Sequence, residues 1–170
     1  RKELVVRRSG SRALDSIEFV DGYSQPSSGA EKPSTVTPDL LKEFKARSEH
    51  EWSLIWSCLA LGKVLARLKA AAIDTSEITA GKRAADFAKL AEATKPSETY
   101  QTTQKLIQRP LELDDVWTTV DQLCAQWGKT VTLLFDDLDI ALGESGKQLQ
   151  ARGLMIRGLL DRTNHSWVSR

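Results

Sequence analysis

The chain has 170 residues, of which 41% are hydrophobic and 28% charged, and its formal net charge is +1. This length fits one ordinary domain that can bury a core without disulfides or metals. The near-neutral charge gives no indication of nucleic-acid or anionic-membrane binding. No segment approaches the roughly 18 consecutive apolar residues of a membrane span. Cys58 and Cys124 have no ligand-like neighbours in the sequence, so we expect buried thiols in a reduced, cytoplasmic protein.

The N-terminal segment contains two short strand-like runs. Residues 4–6 are apolar, and residues 16–20 alternate in polarity before a turn signal at Asp21 and Gly22. The following segment, from Tyr23 to Val36, is rich in Ser, Pro and Gly. This composition predicts a flexible loop.

Helical patterns dominate the next 90 residues. The first helix is expected to begin at Thr37, a good N-cap, with Pro38 in its first turn. Further helices are predicted where apolar residues recur every three or four positions. They cover residues 49–72, 84–93 and 111–127, and Gly128 is the expected stop of the last one. Residues 97–110 are polar and their structure stays open. We interpret residues 37–95 as a helical insert.

A continuous apolar run, VTLLF, occupies residues 131–135. Such a run is typical of a strand that is covered on both faces, as in a parallel sheet. A helix over about residues 147–160 and a new strand near Trp167 and Val168 are predicted to follow. Strands separated by helices indicate an α/β fold, a parallel sheet with flanking helices. Residues 1–170 then form a single domain or a fragment of one.

Two acids, Asp136 and Asp137, follow the apolar run directly, and Asp139 lies close behind them. Ligands of parallel α/β sheets collect at the carboxyl ends of the strands. One carboxylate there can hold Mg²⁺ beside the β- and γ-phosphates, and a second can orient or deprotonate the attacking water. We therefore assign Asp136 to the metal and Asp137 to catalysis. The alternative is an acidic turn without chemistry.

The segment LLFDDLD, residues 133–139, resembles the Walker B segment of KAP-type and STAND-type P-loop ATPases, which are related to the AAA group. The resemblance implies a partial P-loop NTPase core that uses ATP and Mg²⁺. It also implies a protein, bacterial in many members, that couples ATP binding and hydrolysis to assembly or signalling. In that family's core, residues 16–21 would correspond to the second strand. The helix with Trp52 and Trp56 would correspond to a helical insert, and Arg170 would mark the start of a sensor-like strand.

The family's phosphate-binding loop, G-x4-G-K-[ST], does not occur in this sequence. Gly128, Lys129 and Thr130 come nearest, but Leu123 stands in place of the first glycine. We interpret these three residues as a helix stop and a strand entry. The chain opens without an initiator Met, so we expect the phosphate-binding loop to lie upstream of residue 1. The alternative is that this chain is a degenerate copy of the ATPase core that lacks the loop. This chain alone is expected to bind nucleotide weakly or not at all.

Four further sets of residues are interpreted as packing or surface groups. The histidines His50 and His165 are far apart and near no nucleophile motif. Four of the five tryptophans fall at core spacing, which favours packing over base stacking. The basic sets are Arg1, Lys2, Arg7, Arg8 and Arg12 at the N-terminus and Arg152, Arg157 and Arg162 near the C-terminus. One of the last three is an alternative candidate for a finger onto a neighbouring subunit's nucleotide.

The rival function is a non-catalytic protein-interaction module, in which the Trp-bearing helix and the Ser/Pro-rich loop form a surface for a protein partner or a second copy. The two functions differ at Asp136 and Asp137. An ATPase needs both at the end of a strand inside a crevice, whereas an interaction module allows them on a convex surface. Residues 131–135 as an edge strand, or as a helix, would argue against the ATPase.

Overall fold

A computed structural model describes residues 17–23, 36–79, 84–135, 138 and 146–167 of the chain. This part contains seven helices and two strands. In chain order they are β1 (Ile17–Tyr23), α1 (Pro38–Glu43), α2 (Glu49–Ala70), α3 (Ser76–Thr79), α4 (Ala85–Glu92), α5 (Pro96–Leu106), α6 (Pro110–Trp127), β2 (Thr130–Phe135) and α7 (Gly146–Trp167).

The helix boundaries follow from local capping chemistry. Thr37 accepts a hydrogen bond from the backbone N–H of Leu40 at 3.1 Å, and Ser48 accepts one from Glu51 at 3.1 Å. At the other end, Gly128 adopts a left-handed conformation with φ of 70° and stops α6. The predicted helix start at Thr37 and the predicted stop at Gly128 are therefore confirmed.

The polar segment left open by its sequence contains a helix, α5, and then leads into α6. Pro96 stands in the first turn of α5, where no backbone hydrogen-bond donor is needed. The carboxylate of Glu98 accepts hydrogen bonds from the backbone N–H groups of Thr94 and Lys95 at 3.1 and 3.3 Å. Thr99, Thr102 and Thr103 of this helix are buried, which explains why no apolar stripe marks it.

Helix α2 lies at the centre of the molecule. It packs against α7, α4, α5, α6 and β1. Buried positions occur on every side of it, and they include the polar residues Ser53 and Ser57 and also Gly62. A helix that is buried all round lies inside a helical core rather than on the face of a sheet.

Two groups of buried side chains surround α2. The strand-side cluster contains Val20, Cys58, Leu61, Val64, Leu65, Leu68, Ile78, Phe87, Leu90, Leu106, Leu113, Val120, Leu123 and Val131. The α7-side cluster contains Val36, Leu40, Leu41, Phe44, Trp52, Ile55, Trp56, Leu59 and Met155. Helical residues make up most of both groups, and the sheet contributes Val20 and Val131 to the first.

The predicted fold class, an α/β parallel sheet with flanking helices forming a partial P-loop NTPase core, is wrong. The described chain is mostly helical, and its sheet has two strands. The error has a physical cause. Segment 37–95, which we interpret from its sequence as an insert in a sheet-based core, contains α2, and α2 is buried on all sides at the centre of a helical core.

The two strands nevertheless pair in parallel, from Ile17 opposite Thr130 to Tyr23 opposite Phe135. The pairing is irregular between Asp21 and Tyr23. The expected turn at Asp21 and Gly22 is therefore wrong, because the strand continues to Tyr23 through a bulge-like irregularity.

The C-terminal helix is also longer than its sequence predicted. It runs without a break to Trp167. The prediction that a strand begins near this residue is therefore wrong for Trp167. Val168 and Arg170 lie outside the described residues, as do residues 1–16 with the strand-like run 4–6. The predicted flexible loop also lies outside them, except at its ends. Tyr23 closes β1 there, and Val36 is buried.

Replacing Gly158 by Ala is expected to destabilise the protein by about 2 kcal/mol, because α7 crosses α2 there too closely for a methyl group. An ideal Cβ would lie 2.4 Å from the Cβ of Trp52 and 2.7 Å from the backbone oxygen of Glu49. Gly153→Ala is the matched control, since its Cβ would meet no atom of the described residues within 4 Å. The control should gain up to about 1 kcal/mol. Urea denaturation measures both, and equal stabilities would contradict the tight crossing.

Candidate functional site

The candidate site is the carboxyl end of β2. Because β1 and β2 are parallel, their carboxyl ends, Tyr23 and Phe135, lie side by side at one edge of the sheet. Asp136 and Asp137 follow Phe135 in the sequence. Both acids, and Asp139, lie outside the described residues. The structure therefore describes the strand that leads to the predicted site and the side-chain contacts that fix the position of this strand.

The last residue of β2 is fixed by an aromatic contact. The Phe135 ring meets the indole of Trp56 edge-on, with centroids 5.4 Å apart and planes at 82°. The indole Nε1 of Trp56 donates a hydrogen bond to the backbone oxygen of Met155 at 2.9 Å. Leu138 also packs against the α7-side cluster. The chain thus packs against the α7-side cluster on both sides of the two acids.

The neighbouring strand is tied to α2 by charge. The Nε of Arg67 donates to the carboxylate of Glu18 at 2.6 Å, and both side chains are partly buried. The Arg67 guanidinium also lies 5.8 Å from the ring centroid of Trp127, at the end of α6. One arginine on α2 therefore contacts β1 and the helix that leads into β2. No sequence pattern indicated this arrangement, since the three residues share no spacing or motif.

The carboxylates of Asp136 and Asp137 have the right chemistry for Mg²⁺, which prefers oxygen ligands. The described residues offer no comparable fit to a triphosphate. Gly128 ends α6, and the next strand begins at Thr130. Gly128, Lys129 and Thr130 are therefore a helix stop and a strand entry, as predicted, and not a phosphate-binding loop.

In the described ranges β2 has one strand beside it, β1. Within these ranges β2 is therefore an edge strand, the arrangement expected to argue against the ATPase, and this observation counts against an ATP site built from the described residues alone. Those residues also contain no group of three or more His, Cys, Asp or Glu side chains arranged to hold a metal. No helix within them has the length and apolar character needed to cross a membrane.

The tryptophans of α2 are packing residues, as predicted. Trp52 and Trp56 are each 1% exposed, which leaves no face for a nucleic-acid base. On α6, Trp117 is partly buried and its Nε1 donates to the hydroxyl of Ser57 at 2.8 Å. The side chain of Trp167 lies outside the described residues.

The remaining candidates divide between surface positions and positions that the structure does not describe. His50 is exposed in the first turn of α2, while the side chain of His165 lies outside the described residues. Arg157 pairs with Glu49, and Arg162 pairs with Asp114, each at 3.1 Å. These two arginines therefore tie α7 to α2 and α6 within the chain. The N-terminal basic residues 1–12 lie outside the described part.

Comparisons with protein-family models, with curated proteins and with solved structures found no match to this chain. The resemblance to P-loop ATPases therefore rests on the segment 133–139 and on the strand that leads into it.

Trp56→Phe is expected to lower the free energy of unfolding by about 1 kcal/mol more than Trp52→Phe does. The two residues are equally buried, but only Trp56 loses a hydrogen bond, the one to Met155. The Nε1 of Trp52 is buried and has no hydrogen-bond partner among the described residues, so its replacement also removes an unsatisfied donor. Urea denaturation of both variants measures the difference. A larger loss for Trp52→Phe would show that Trp56 does not anchor the strand end.

Cys58 is expected not to react with a disulfide reagent such as DTNB while the protein is folded. The thiol is fully buried, and burial raises its pKa far above the ordinary value. The pKa of Cys124 is also raised, by partial burial first and by the charge of Asp121 second. The variant Cys124→Ser isolates Cys58: it should react only after unfolding in urea. Rapid reaction of the folded variant would make Cys58 an accessible thiol.

Proposed function

We propose that this chain provides the metal-binding and water-orienting acids of an ATP-hydrolysing protein, which couples ATP binding and hydrolysis to assembly or signalling. The observation that carries the proposal is the parallel pairing of β1 and β2. It supports a site at the edge where Asp136 and Asp137 leave β2, because parallel strands direct their carboxyl ends to the same edge.

The two acids would have different tasks. Asp136 would hold Mg²⁺, which when bound neutralises charge on the β- and γ-phosphates. Asp137 would hold the attacking water and accept its proton. The contact of Phe135 with Trp56 supports a site after β2, since functional sites are built on strands and helices that packing holds in place.

The proposal has two requirements beyond the described chain. A phosphate-binding loop is needed, and this sequence contains none. A further strand beside β2 is also needed, and the described ranges place β1 there alone. Another segment or another chain would have to provide both. The 170-residue chain by itself is therefore expected to bind Mg²⁺ and ATP weakly or not at all, because phosphate contacts supply most of the affinity.

ATP hydrolysis by the protein that the native gene encodes tests the proposal, with Asp136→Asn and Asp137→Asn as the variants. Asp137→Asn should lower kcat by roughly 100-fold or more while ATP still binds, because it removes only the proton acceptor. Asp136→Asn should weaken Mg²⁺-dependent ATP binding as well. Hydrolysis is followed by phosphate release and binding by a fluorescent ATP analogue.

Asp115→Asn is the matched control, because it removes an exposed carboxylate from α6 without touching the strand end. It should leave hydrolysis unchanged. If the native protein hydrolyses no ATP, or if both strand-end variants keep full activity, Asp136 and Asp137 form an acidic turn without catalytic function.

The second candidate function is the non-catalytic interaction module. A specific observation favours it: three leucines of the described helices are exposed on the surface. They are Leu111 at 79%, Leu160 at 55% and Leu149 at 45% exposure. In this case the hydrolysis experiment returns no activity, and variants of the leucines rather than of the acids affect function.

A further inference from the structure

We draw no further inference here: the strongest candidate, the outer face of α7 with the exposed leucines Leu149 and Leu160, carries none because nothing among the described residues shows what covers it.

Discussion

The fold depends on the burial of one helix on all of its sides. Helix α2 carries a buried residue at more than half of its positions, from Trp52 near its start to Leu68 near its end. Every other large element of the described chain uses α2 as its packing surface: α7 crosses it at Gly158, α4 and α5 pack along it, and β1 is joined to it through Arg67. Hydrophobic burial of this extent is the dominant favourable term in folding, so the positions of the smaller elements follow from α2. The two-strand sheet is one of these smaller elements.

In this fold the strand end that leads to the predicted site is positioned by helices of the core and not by a wide sheet. A wide parallel sheet positions its strand ends through neighbouring strands on both sides. Here the strand end before Asp136 is positioned by an aromatic contact with α2 and, through Trp56, by a hydrogen bond to the backbone of α7. Helix α7 therefore takes part in holding the strand that leads to the candidate site.

The sequence predicted individual elements better than their arrangement. The N-cap at Thr37 and the helix stop at Gly128 are local features. They can be predicted because each depends on the residue itself and on its immediate neighbours in the sequence. The apolar run that became β2 was found for the same reason. The fold class was wrong because apolar spacing does not distinguish a helix that covers a sheet from one that is buried among helices. The contact of Arg67 with Glu18 and Trp127 was missed because it joins distant parts of the chain. The roles of Asp136 and Asp137 remain predictions, since both residues lie outside the described part.

The pairing of β1 with β2 has a consequence for how the chain is divided. The two strands lie roughly 110 residues apart in sequence, and closing a loop of that length costs on the order of 4 kcal/mol in chain entropy. A pair of strands this short cannot offset that cost unaided, because two-stranded units are marginally stable in water. The first half of the molecule contains β1 and α2, and the second half contains β2 and the helices that enclose α2. Both clusters of buried side chains around α2 contain residues from both halves. Neither half therefore contains a complete cluster, so the core of the molecule forms only when the two halves pack together.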